Sequence, residues 1–236
     1  MAAPVPDAGA VIDATVQLFP YFDWGATVLW AMSGAMLGAR RGYSFMGVFV
    51  VALVSATGGG LLRDGIFLQD GPPVLLRTPI YLALVVAASL TVRLFGRHLR
   101  TFRWFEHAVG VVDALGIGAY AVVGMNMAIA ADLPLLAAIV VGMVSAIGGS
   151  VLRDMLMGET PQILKPGVWL AVAALCGCVL FAALVRFNLD ANLAGAAAII
   201  FTFVVRVLAL RYDLRTRPLN AFEDDWRKRT GTGGAP

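Results

Sequence analysis

The chain has 236 residues, 59% of them hydrophobic and 14% charged, with a mean hydropathy of +0.81 and a formal net charge of +3. Water-soluble domains carry about 25% charged residues, so this composition excludes a soluble globular enzyme and points to an all-α integral membrane protein. The positive excess is too small, and its basic residues too confined to loops, for a nucleic-acid partner.

Residues 1–20 contain no Lys or Arg, so they lack the basic start of a secretory signal and read as a lead-in. Seven charge-free apolar runs follow, at 24–39, 42–62, 78–92, 114–131, 133–152, 166–185 and 191–205. A membrane helix needs about 20 mainly apolar residues. Four runs meet that length. The first, third and seventh reach it only with Asp23, Arg93 and Arg206 at or near their ends, where a long Arg side chain can snorkel to the interface. The pattern predicts seven spans.

The loop charges agree with that count. Seven spans place on one side Arg40, Arg41, Arg93, Arg97, Arg100, Arg103, Arg153, Lys165 and the basic residues from Arg206 to Arg229. The other side receives only Arg63, Arg77 and Arg186. The positive-inside rule then sets the N-terminus outside and the C-terminus in the cytoplasm. The tail over 211–236 reads as a solvated end, with contact to anionic lipid headgroups as the alternative.

The chain also repeats itself. Ser55-Ala56-Thr57-Gly58-Gly59-Gly60-Leu61-Leu62-Arg63-Asp64 returns 90 residues later as Ser145-Ala146-Ile147-Gly148-Gly149-Ser150-Val151-Leu152-Arg153-Asp154. The same offset carries Asp23 to Asp113, Ala31 to Ala121 and Gly34 to Gly124. Three spans per copy is an odd number, so the second copy must be inverted in the membrane, an arrangement common in transport proteins. The expected units are a first three-helix repeat over 21–105, a second over 106–187, a seventh helix over 188–210 and the tail.

Consecutive glycines in a lipid-buried helix cost about 1 kcal/mol each relative to Ala. They are expected to break the second and fifth helices at Gly58, Gly59, Gly60 and at Gly148, Gly149. The freed carbonyls would then face protein or water and line an ion path. Close helix packing is the alternative use of such residues. Thr57, Ser55, Ser145 and Ser150 add hydroxyls, which either join that path or bond their own helix carbonyls. Arg63-Asp64 and Arg153-Asp154 follow each triplet. Adjacent helical residues do not face one another, so each Arg is expected to pair with an Asp on another helix. Asp23 reads as a helix cap or a polar stripe residue with Thr27, Gly34 and Gly38. Asp113, with Gly116, Tyr120, Gly124 and Asn126 on the same span, reads as an intramembrane acid, which points to a functional site. Cys176 and Cys178 lack further ligands and read as packing residues. His98 and His107 sit in a basic loop. No Ser-His-Asp set, metal cluster or phosphate loop is visible, so neither an enzyme nor a cofactor is expected.

The doubled motif, the paired Asp and Gly residues of spans one and four, and the 3+3+1 layout resemble the prokaryotic trimeric intracellular cation (TRIC) channel family. Its repeat is also labelled a glycine-transporter domain. The resemblance covers roughly residues 21–205. It implies a homotrimer in the bacterial inner membrane, surrounded by lipid, with one hourglass pore per subunit for monovalent cations, chiefly potassium. It also implies that Thr57, Gly58, Gly59, Gly60, Ile147, Gly148, Gly149 and Ser150 lie beside that pore. Animal members carry a Lys-Glu-Val motif that binds a phosphoinositide. This chain lacks the tripeptide, so that form of gating is not expected. A transporter of a small amino acid such as glycine fits the inverted repeat equally well.

Overall fold

The computed structural model describes residues 19–69, 71–100, 105–165 and 169–212. Within them lie seven long helices and one short one. They are α1 (Phe19–Arg40), α2 (Phe45–Leu62), α3 (Val74–Arg77), α4 (Ile80–Arg100), α5 (Phe105–Ala130), α6 (Leu135–Leu156), α7 (Leu170–Arg186) and α8 (Ala191–Arg211). The helices begin and end where local chemistry directs. Ser44 caps α2 by accepting the Gly47 N–H at 3.2 Å, just after a turn in which Gly42 takes φ +73°. Pro134 precedes α6, and the Asp190 carboxylate accepts the first free N–H groups of α8, from Asn192 and Leu193.

Among the described residues, four segments are long and apolar enough to cross a membrane: Phe45–Leu68, Asp113–Ala130, Leu135–Leu156 and Ala191–Arg211. Two shorter apolar stretches, Ile80–Gly96 and Leu170–Arg186, accompany them. The helices extend beyond the apolar runs of the sequence. α1 starts five residues before Trp24, and α5 starts at Phe105, so Asp113 lies well inside a helix. The lead-in over 1–18, the loop over 101–104 and the tail over 213–236 lie outside the described residues, as does any lipid contact by that tail.

The bundle buries a small set of polar residues within an apolar core and also exposes apolar residues on its outer faces. Leu82, Val86, Leu90 and Leu94 stand exposed at every fourth position along α4, and Ile200, Val204 and Leu208 do the same along α8. Such outward stripes suit a lipid surround. Inside, α1 packs on α2, α4 and α5; α2 packs on α6; α5 packs on α6, α7 and α8. The core is built largely from alanines, with Ile117, Met125, Val85 and Phe181 filling the remaining space. Small residues let membrane helices approach closely.

The glycine triplets do not break their helices. α2 is continuous through Gly58, Gly59 and Gly60, and α6 through Gly148, Gly149 and Ser150. The expectation of freed carbonyls at these points is therefore corrected. The physical reason is the α2–α6 crossing. A methyl at Gly58 would sit 3.1 Å from Gly149 Cα, and one at Gly148 would sit 3.1 Å from Gly59 Cα. A methyl at Gly59 would collide with the Ser145 carbonyl oxygen, and one at Gly149 with that of Ser55. The glycines are there so that two backbones can touch. Where α2 departs from regular geometry is one turn later. Arg63–Leu68 forms a π-helical turn that ends at Gln69 with φ +50°. π-turns of this kind often occur at functional sites.

Candidate functional site

Two clusters of buried polar residues flank the α2–α6 crossing. In the first, Arg63 follows the α2 glycines at the start of the π-turn, and both Arg63 and Asp64 are buried. Arg63 Nε donates to Asp64 Oδ1 at 2.7 Å, and Asp64 Oδ2 accepts the Val74 N–H of α3 at 2.9 Å. Asp23 of α1 accepts the hydroxyl of Tyr81 from α4. Thr27 donates to the Asp23 carbonyl at 2.8 Å and lies 3.0 Å from the Tyr120 oxygen, while Tyr120 donates to the Ala56 carbonyl. Asp23 thus ties two helices together and is no simple helix cap.

The second cluster repeats the plan on α6. Arg153 Nε donates to Asp154 Oδ1 at 3.1 Å, and Asp154 Oδ2 accepts the Gln162 N–H at 3.0 Å. Ser33 of α1 donates to Asp113 Oδ1 of α5 at 2.8 Å. Arg153 Nη1 reaches both, at 3.4 Å from Ser33 Oγ and 3.8 Å from Asp113 Oδ1. Arg206 of α8 is buried within electrostatic reach of Asp113. Charged groups this deep in apolar helices need partners to offset their desolvation.

The pairing differs from the expectation that each Arg would find an Asp on another helix. Both Nε–H groups serve the neighbouring Asp, and among the described residues only Arg153 also reaches across, to Asp113. The rule that adjacent helical side chains diverge holds for short side chains. Here burial removes the guanidinium from bulk solvent, and its long stem folds back to the nearest carboxylate. Each Asp in turn holds a backbone N–H of the segment beyond its helix. The corners therefore fasten α2 and α6 to the segments that follow them.

Between the clusters, Trp30 and Tyr120 stack with ring centroids 4.9 Å apart and planes 20° from parallel. They occupy equivalent places in the repeat, 90 residues apart. Thr57 and Ser55 donate to carbonyls one turn back, at 2.7 Å to Leu53 and 2.7 Å to Val51. Ser150 bonds Ile147 at 2.8 Å. These hydroxyls therefore serve their own helices. Ile147 and Ser145 are buried on α6, and Asn126 lies half-buried further along α5. Cys178 is buried and Cys176 half-buried, both as free thiols.

Sequence reasoning missed Ser33, Tyr81 and Trp30. The repeat register was a usable signal for Trp30, because it aligns with Tyr120. Nothing local marks Ser33 or Tyr81, whose partners are 80 and 58 residues away.

The family model described as Glycine transporter matches residues 20–97 and again residues 110–186. The UPF0126 inner membrane protein YadS of Escherichia coli is 29% identical over 212 residues, covering 89% of this chain and 100% of that one. A UPF0126 membrane protein of Deinococcus radiodurans is 32% identical over 202 residues, covering 84% and 92%. Among solved structures, the TRIC trimeric intracellular cation channel orthologue from Rhodobacter sphaeroides superposes with a TM-score of 0.78 at 27% identity, over 84% of this chain and 100% of the other. A second structure, from work on conductance through TRIC cation channels, gives 0.76 at 27% identity, over 86% and 97%.

Proposed function

Because this chain belongs to the Glycine transporter family, as a multi-pass membrane protein alongside the TRIC channels, we propose that it is a cation channel. Its ions are monovalent, chiefly potassium, and each subunit of a homotrimer carries its own hourglass path. The observation that carries this reading is the likeness to TRIC channels over nearly the whole chain. The two buried Arg–Asp clusters support it, since ionisable groups inside membrane helices accompany ion routes. The path runs beside the α2–α6 crossing, from Asp23, Arg63 and Asp64 at the outer mouth to Asp113, Arg153 and Asp154 at the inner one. Gly58, Gly59, Gly60, Gly148 and Gly149 contribute by bringing the two helices together beside it.

The proposed topology has seven spans, with α1, α2 and α4 forming the first repeat and α5, α6 and α7 the second. The units run over 21–105 and 106–187, with a seventh helix over 188–210. What supports inversion is the mirrored contacts: Gly59 on Ser145 and Gly149 on Ser55, Gly34 on Ser55 and Gly124 on Ser145. A pseudo-two-fold axis between Trp30 and Tyr120 accounts for all of them.

A second reading, a transporter of a small amino acid, rests on the description of the matching family as Glycine transporter. Reconstituted protein separates the two. The channel reading expects unitary potassium currents in planar bilayers. Saturable glycine uptake into liposomes without potassium current would reverse the choice.

A further inference from the structure

The two Arg–Asp corners differ in one respect. Arg153 Nη1 has Ser33 Oγ and Asp113 Oδ1 beside it. Arg63 is equally buried, at 2% exposure, yet its Nη1 has no hydrogen-bond partner among the described residues. A buried guanidinium N–H left unmade is costly, and nearly all such groups in proteins find an acceptor.

The repeat supplies the cause. Ser33 maps onto Val123. α1 and α5 run antiparallel where they cross: Thr27 meets Tyr120, and the later Ser33 meets the earlier Asp113. The same register brings Val123 level with Asp23, as Ser33 is level with Asp113. Val123 is buried, at 3% exposure, and offers no acceptor. At this corner there is instead a cavity of about 20 Å³, lined by Asp23, Thr57, Arg63, Asp64, Tyr81 and Tyr120 among others. One water needs about 10–15 Å³ and two to four polar partners.

We propose that this cavity binds one ordered water, which accepts from Arg63 Nη1 and does for it what the Ser33 hydroxyl does for Arg153 at the other corner. Its own protons go to the oxygens around it, those of the Asp23 carboxylate and the Thr57 hydroxyl. Water suits the site better than an ion. The unmet N–H of Arg63 calls for an acceptor, which a cation cannot be, and the carboxylates of Asp23 and Asp64 repel an anion. A neutral dipole satisfies both. The two mouths are then unequal: the inner corner is held by protein, and the outer one by a molecule that exchanges with solvent. On the channel reading, the outer corner is the one that releases first. The water site itself does not depend on that reading.

The test is a structure of the full chain in lipid nanodiscs, at a resolution that shows ordered water. The expected result is one water peak within about 3.2 Å of Arg63 Nη1. In Arg63→Met, which removes the donor, that peak disappears. An empty cavity, a protein acceptor on Nη1, or a peak that responds to rubidium or bromide soaking overturns the proposal. Protein that holds the water but passes no potassium supports the site and removes the channel reading alone.

Discussion

Gly59 and Gly60 are neighbours with opposite surroundings. A methyl on Gly59 points into the carbonyl oxygen of Ser145, which is helix backbone and cannot move aside alone. A methyl on Gly60 meets only Arg63 Nη2, at an ordinary 3.6 Å. Overpacking a tight contact costs about 1–3 kcal/mol, more than the roughly 1 kcal/mol that Ala gains over Gly in helix propensity. Gly59→Ala is therefore expected to lower the melting temperature in detergent, and Gly60→Ala to leave it unchanged or raise it slightly. Equal melting of the two variants would contradict the close-packing role. At the inner corner, Asp154→Ala strips Arg153 of its nearest carboxylate and the Gln162 N–H of its acceptor. Removing one partner of a buried ion pair costs about 3–5 kcal/mol. Adding Arg153→Met to that variant is expected to recover part of the loss, because the guanidinium stranded by Asp154→Ala is gone, while Asp113 keeps the Ser33 hydroxyl and the nearby Arg206. Equilibrium unfolding of the single and double variants measures this. A double variant less stable than Asp154→Ala would show that the pair is not the source of the cost.

At the level of elements, α2 and α6 carry the same motif but end differently. α6 stays α-helical to Leu156, while α2 widens into a π-turn at Arg63–Leu68. The exposed apolar stripes of α4 and α8 mark the faces suited to lipid, and the loop charges give an expected direction through the membrane. The expected orientation is N-terminus outside and C-terminus in the cytoplasm. Reporter fusions at positions 10 and 230 are expected to report opposite sides of the membrane. Both reporters on one side would remove the seven-span topology, and the inverted repeat along with it.

For the molecule as a whole, the proposals concern assembly and conduction. Mass measurement in nanodiscs is expected to give three copies of the 24.9 kDa chain. A dimer would detach this protein from the TRIC mode of assembly while leaving its fold intact. Potassium current is expected to persist when Glu159 is replaced by Gln. Its ion pair with Arg41 lies on the exposed surface, where such pairs contribute at most about 1 kcal/mol. Loss of current in a well-folded Glu159→Gln protein would move the ion path to that surface.

Much of this was legible in the residues themselves. Hydropathy marks apolar segments because lipid leaves each backbone group no partner outside its own helix, so length and composition alone identify the helices. The 90-residue echo marks which residues are equivalent, and so ranked Asp113, Arg153 and Asp154 with Asp23, Arg63 and Asp64 before any coordinates. The glycine triplets were legible as important but not as to why. Whether Gly59 breaks a helix or admits a neighbour depends on what stands opposite, and Ser145 is 86 residues away. The same holds for Tyr81 on Asp23 and Ser33 on Asp113. A hydroxyl in an apolar run looks alike whether it bonds its own carbonyl or a distant carboxylate. Periodicity and charge act along the chain, so sequence reveals them. Which helix faces which is decided by packing between chain segments far apart, and only the tertiary structure holds that information.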